Sequence, residues 1–225
     1  MARRSDHSHE ELNALILDAA RGVLEKEGLA GLTTRRIGQA IGYSPGTLYN
    51  RFKDLDDIVV NVNAATLDEL YAELAAVAAG GDAAATLRAL VARYLDFTTR
   101  RPKLWALLFQ TSPDAAPRPD WYYAKMGRLF SLVEAALAPL FGTGREQERR
   151  DMARLLWAGL HGLCTLAAEG AVLTWDDVRR LSDLLIATTI AGLRHPVRSG
   201  DSPSRSPRRA DTPSATNASP TAIQE

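Results

Sequence analysis

The residues best suited to chemistry in this chain crowd into one stretch, Thr33 to Lys53. Thr34, Ser44, Thr47, Tyr49 and Asn50 bring hydroxyl, phenol and amide groups, and Arg35, Arg36, Arg51 and Lys53 bring four cations. No Asp or Glu lies between Thr33 and Lys53, so the window carries a local charge of +4. Cations presented together with small hydrogen-bonding groups suit phosphate oxygens and the base edges of a duplex. Other candidates are thinner. His161 and Cys164 are three residues apart, the separation of a thiol–imidazole pair on one helix face. Their neighbours are apolar and no third orienting residue is evident, so a hydrogen-bonded core histidine or a pocket-lining one fits the same spacing. His7, His9 and Glu10 are metal-ligand types, and equally the polar start of a helix.

The elements that position the first stretch are legible from caps and turns. Thr33 is a natural N-cap for a short helix ending near Ile41, with Ile37 and Ile41 on its apolar edge. Gly38 is expected to let a neighbouring helix approach closely. Gly42 falls where the chain must turn sharply, a position for positive φ. Ser44 is expected to cap the next helix, with Pro45 in its first turn, where a missing N–H costs nothing. Leu48 and Phe52, four apart, anchor that helix inward and leave Ser44, Gly46, Thr47, Tyr49, Asn50 and Arg51 facing outward. Two short helices joined by a Gly-containing turn form a helix-turn-helix, whose second helix enters the DNA major groove.

Apolar spacing is helical nearly everywhere else, and no strand is evident. Ser8 and Glu11 make a capping box for a helix through Leu12, Ile16 and Val23, which Gly28 stops. A long helix is expected from Asp56 to Ala79, with Ile58, Val59, Val62, Ala65 and Leu70 on one side and Gly80-Gly81 as its breaker. A stripe from Leu87 to Thr98 ends at Arg101-Pro102. An apolar piece from Leu104 to Phe109 precedes a loop with Pro113, Pro117 and Pro119. A further stripe runs from Met126 to Leu137, and two last helices are expected over 146–168 and 175–193. The expected fold is all-α, about nine helices: a helix-turn-helix domain over 1–55, a larger helical domain over 56–195, and a disordered tail over 196–225.

Composition bounds the rest. In 225 residues, 27 Lys and Arg balance 27 Asp and Glu, so the total charge hides the local patch. Residues 1–55 sum to +1, residues 56–193 to −3 and residues 194–225 to +2. One cysteine excludes an internal disulfide framework and a cysteine-cluster metal site. No apolar run approaches the roughly 18 residues of a membrane span. The N-terminus lacks an apolar signal core, so a cytoplasmic location is expected. No nucleotide-binding loop, metal-spaced ligand set or catalytic triad appears; no cofactor, metal or enzyme activity is expected. The tail's 30 residues hold 5 Pro and 6 Ser and no aromatic, a composition unable to offset backbone ordering. Its Arg205, Arg208 and Arg209 either add nonspecific DNA affinity or are merely solvated. Arg3 and Arg4 could enter a minor groove as an arm.

The segment Leu32-Thr-Thr-Arg-Arg-Ile37, followed by Gly42-Tyr-Ser-Pro-Gly-Thr-Leu-Tyr-Asn-Arg-Phe52, resembles the DNA-binding domain of the TetR (tetracycline-repressor-like) family. The likeness covers roughly residues 10–58. It implies a homodimeric, ligand-responsive transcriptional regulator, most often a repressor, acting on a palindromic operator in double-stranded DNA and released by a small-molecule inducer. Two positions depart from the family: Arg51 stands where it usually has His, and Leu55 where it usually has Lys, with Lys53 as a replacement phosphate contact. Thr34, Tyr49, Arg51 and Lys53 are assigned to phosphate. Ser44, Thr47 and Asn50 are assigned to base edges, and Arg35 or Arg36 to either; Pro45 and Gly46 complete the surface.

In the second domain, Met152, Leu155, Leu156, Gly159 and Leu163 share one side of a helix, and Trp157, His161, Cys164 and Ala168 the other. Apolar residues all round imply burial on both sides, one against the domain and one against a second subunit. In the resembling family two such C-terminal helices form a four-helix dimer interface, which Gly159 and Gly162 would let close tightly. Trp157…His161-Gly162 resembles a Trp…His-Gly signature in one subgroup of the family. Trp105, Phe109, Trp121, Tyr122, Tyr123 and Phe130 flank the Pro-containing loop. With Trp157, His161 and Cys164 they either line a cavity for an apolar molecule or form ordinary core. The reading from another functional class is a helical ligand-binding or interaction protein without regulatory DNA binding.

Overall fold

Ser8 opens the first helix as the spacing predicts: its hydroxyl accepts from the Glu11 N–H at 3.2 Å, and the Glu11 carboxylate accepts from the Ser8 N–H at 2.6 Å. The computed structural model describes residues 7–77, 82–110, 117–170 and 172–194. Arg3, Arg4, Gly80-Gly81, Pro113 and the tail from Pro196 lie outside the described residues. Among these, nine α-helices and no strand are found: α1 (His9–Glu27), α2 (Thr34–Ile41), α3 (Pro45–Tyr49), α4 (Leu55–Ala75), α5 (Ala83–Arg100), α6 (Pro102–Leu107), α7 (Asp120–Leu137), α8 (Glu146–Ala168) and α9 (Trp175–Arg194). α4 ends at Ala75, four residues before the expected Ala79, and Ala65 faces outward rather than into the apolar stripe.

The helices enclose two apolar cores. The first gathers Leu12, Ile16 and Leu24 of α1, Ile37 of α2, Leu48 of α3 and Ile58 and Val62 of α4. Ile16 and Ile37 are wholly buried, so truncating either to Ala costs about 2–5 kcal/mol. Leu104 and Leu107 of α6 also belong to this core, although residues 63–103 separate them from its other members. The second core packs the later turns of α4 against α5, α7, α8 and α9, with Phe97, Leu137 and Val178 at its centre.

α6 joins the two. Its Leu104 and Leu107 face the first core, while Trp105 lies in the second. The Lys103 ammonium donates to the Lys26 carbonyl in the last turn of α1, and the Leu107 carbonyl accepts from the buried Asn63 amide of α4 at 3.2 Å. Just before α6, Arg101 holds Glu25 of α1 at 2.5 Å and Glu69 of α4 at 2.8 Å. Arg21 reaches the same two carboxylates at 3.3 and 2.5 Å and closes a ring of four charges.

Candidate nucleic-acid interface and internal cavity

The turn between α2 and α3 is built by two glycines. Gly42 ends α2 at φ 75°, a conformation that suits a residue without Cβ. At Gly38 a Cβ would meet the Tyr43 carbonyl oxygen at 2.6 Å and the Pro45 nitrogen at 3.6 Å, so the close approach is that of the turn's backbone and the first residue of α3. The Gly38 carbonyl accepts from the Tyr43 N–H at 2.9 Å, which fastens the turn. Thr33 caps α2 through the Arg36 N–H at 3.2 Å, as expected. Ser44 occupies the N-cap position of α3 without bonding its backbone; its hydroxyl lies 3.1 Å from that of Thr47 instead.

α3 and its flanks present Ser44, Pro45, Gly46, Tyr49, Asn50 and Lys53 to solvent, with Thr47 half-buried beside them. Tyr49 is 55% exposed. Leu48 and Phe52 point inward as the spacing requires. Arg35 is exposed and Thr34 half-buried at the start of α2.

Two of the four cations are engaged. Arg36 pairs with Glu27, and Arg51 donates to the Asn13 side chain at 2.8 Å. Both partners come from α1. A count of charge along one stretch therefore overstates the local +4, because Glu27 enters from a neighbouring helix. The sequence also gave no sign that His7 meets the Tyr43 hydroxyl at 2.8 Å, pinning the approach to α1 against the turn.

In the second core, five of the eight ligand candidates come together. The His161 ring stacks on Trp157 with 5.0 Å between centroids and an 8° interplanar angle. Phe109 lies 4.0 Å and Trp105 5.1 Å from the same imidazole, and Phe130 closes against Trp157 at 5.4 Å. The Trp105 indole N–H donates to the Tyr94 hydroxyl at 2.8 Å, and that hydroxyl lies 3.3 Å from His161 Nδ1. An indole nitrogen only donates, so the Tyr94 oxygen accepts from Trp105, and the direction of its contact with Nδ1 follows the imidazole tautomer. Burial holds the His161 pKa below its ordinary value.

Trp121 and Tyr122 stand apart from this group. Trp121 is 43% exposed. Tyr122 is buried with Leu67 and Leu108, its hydroxyl close to Asn63 but outside hydrogen-bond geometry. Cys164 is buried, and desolvation pushes its thiol up to about 12. A thiol held protonated in this way is a weak nucleophile.

Beside the aromatic group lies an apolar cavity of about 70 Å³. Its walls come from Leu70 and Leu74 of α4, Leu87 and Tyr94 of α5, Phe130 of α7, Trp157 of α8 and Ser182 and Ile186 of α9, among others. Of the expected ligand residues only Phe130 and Trp157 line it. Tyr94 and Ser182 escaped the sequence reading; both sit inside regular apolar stripes that gave no reason to single them out.

α8 divides differently from expectation. Leu156, Leu160 and Cys164 are buried, while Leu155 and Leu166 are 62% and 40% exposed. Leu184 of α9 is 56% exposed. Gly159 is occupied from within: a Cβ there would meet Leu185 of α9 at 2.9 Å, whereas nothing lies within 4 Å of Gly162.

Known proteins bear directly on this arrangement. The description of bacterial regulatory proteins of the tetR family matches residues 16–62, and that of the tetracyclin repressor-like C-terminal domain matches residues 87–189. The HTH-type transcriptional repressor KstR2 of Rhodococcus jostii (strain RHA1) is 35% identical over 77 residues, 34% of this chain and 38% of that repressor. A protein of unknown function from Rhodococcus sp. RHA1 superposes with a TM-score of 0.66 at 22% identity, covering 85% of this chain and 98% of the other. The transcriptional regulator FadR from Bacillus subtilis, solved in complex with stearoyl-CoA, superposes with a TM-score of 0.61 at 14% identity, covering 80% of this chain and 98% of the other. At these identities the structural likeness is one of fold.

Proposed function

The chain belongs to the tetR family of bacterial regulatory proteins, and from that premise we propose that it is a transcriptional repressor: a homodimer that binds a palindromic operator and is released by a small molecule in its C-terminal domain. The carrying observation is the exposed face of α3, where Ser44, Tyr49, Asn50 and Lys53 stand clear of the fold beside the hydroxyl pair of Ser44 and Thr47. In this reading Ser44, Thr47 and Asn50 meet base edges, where Asn pairs bidentately with adenine. Tyr49, Thr34, Arg35 and Lys53 meet phosphates. Arg51 and Arg36 reach the backbone only by exchanging Asn13 and Glu27 for it. Residues 1–55 act as the reading head, 56–195 as the regulatory domain and 196–225 as a tail. No catalytic role enters, and the place of action is the cytoplasm; no described helix is long and apolar enough to cross a membrane.

Two further observations support the parts. Leu155, Leu166 and Leu184 form exposed apolar surface on α8 and α9, which a second copy would cover. The cavity wall includes Leu70 and Leu74 of α4, and the first turns of the same helix lie in the core beneath α3. Filling the cavity displaces α4, and that displacement alters the spacing of the two reading heads, a coupling between distinct sites.

The test is duplex binding by fluorescence anisotropy, using DNA from upstream of the protein's own coding region. Two protomers should bind per duplex, with half-sites one helical turn apart, about 34–36 Å, or a multiple of it. Lys53→Ala should lower the salt slope by about 1. Binding by a monomer at one asymmetric site, or no salt dependence, overturns the reading.

A further inference from the structure

Ser182 sits on α9 with 2% of its surface exposed, and its hydroxyl has no hydrogen-bond partner. It lines the 70 Å³ cavity, whose other wall residues are nearly all aliphatic or aromatic. A buried hydroxyl without a partner is costly unless something arrives to bond it. Only two other wall residues carry a polar atom. The Tyr94 hydroxyl already receives Trp105 and faces His161, and the Trp157 indole nitrogen can only donate. The wall contains no Arg, Lys, His, Asp or Glu. An ionised group entering it would lose its hydration with no opposite charge to meet it.

We propose that this cavity takes an uncharged, largely aliphatic molecule whose one hydrogen-bonding group meets Ser182 Oγ. The inference rests on the ligand-responsive reading above and specifies its ligand class. Ligand sites for drug-sized molecules occupy roughly 300–1,000 Å³, so the present space is contracted. A chain of more than a few carbons enters only if wall residues, Leu70 and Leu74 of α4 among them, give way. A slender, flexible chain does this with less disturbance than a rigid ring system.

The probes are 1-octanol and octanoate, equal in length and different in charge at pH 7. Binding is read by tryptophan fluorescence, since Trp157 lies in the wall, and by thermal shift. Saturable binding of octanol is expected, at least tenfold tighter than that of octanoate. Ser182→Ala should weaken octanol about fivefold, the worth of one neutral hydrogen bond. The same variant without ligand should melt no lower than the wild type, because it deletes an unpartnered hydroxyl. Equal affinity for octanoate, an unchanged octanol affinity in Ser182→Ala, or no saturable octanol binding overturns the assignment. Duplex binding is measured on the same preparations. Protein that binds duplex and not octanol sinks the ligand class alone; protein that binds octanol and no duplex sinks the regulatory reading alone.

Discussion

The indole of Trp105 donates to the hydroxyl of Tyr94 at 2.8 Å, and this one bond ties α6 to the wall of the cavity. Tyr94→Phe would strand a buried indole N–H and remove the partner of His161 Nδ1. The expected loss is about 1–3 kcal/mol, the cost of an orphaned buried donor. Urea unfolding followed by circular dichroism measures it. A variant as stable as the wild type would mean that the bond contributes nothing net.

Gly38→Ala places a methyl 2.6 Å from the Tyr43 carbonyl oxygen, inside the turn that aims α3. The backbone must give way, at about 1–3 kcal/mol, in the range of an overpacked core. Duplex affinity should fall further than stability does, because the displaced element is the one proposed to read. Equal thermal melting and equal affinity in the variant would show that the turn tolerates the methyl.

These two predictions mark what the sequence disclosed and what it did not. The caps at Ser8 and Thr33, the turn at Gly42 and the inward pair Leu48 and Phe52 were readable because each depends on residues within a few positions of one another. The assignment of Glu27 to Arg36, Asn13 to Arg51 and Leu104 to the first core was not readable, because each partner arrives from another helix. The lining of the cavity was not readable for a related reason: the space between helices is bounded mostly by leucines, whose facing partners are set by helix packing rather than by local spacing.

Arg101 binds Glu25 and Glu69 in a ring that is about one-third exposed. Exposed ion pairs stabilise weakly, so Arg101→Gln should cost up to about 1 kcal/mol at low salt. In 1 M sodium chloride, where screening acts within about 3 Å, most of that cost should vanish. Guanidine cannot be the denaturant, since it is itself a salt; urea titrations at two ionic strengths decide. A cost independent of salt would assign the effect to the packing of the arginine stem.

His161 ties stability to pH. Burial lowers its pKa below the ordinary 6.5, so the unfolded chain takes up a proton where the folded one resists it. Stability is full above about pH 6.5 and falls as the pH drops through that value toward the depressed folded pKa. The neighbouring Tyr94 hydroxyl and Cys164 thiol are both raised and stay neutral across this range. His161→Gln should flatten the slope between pH 7.5 and 5.5. An identical slope in the variant would place the dependence on other groups.

Because Leu104 and Leu107 fill the core beneath α3, the proposed boundary near residue 55 leaves part of the first core on its far side. A fragment cut after α4 would carry every residue proposed to meet DNA and yet have a hole where α6 belongs. It should behave as a loosened, dye-binding globule, and adding a synthetic peptide spanning 100–110 should tighten it. Heating the intact chain should accordingly melt both cores in a single step.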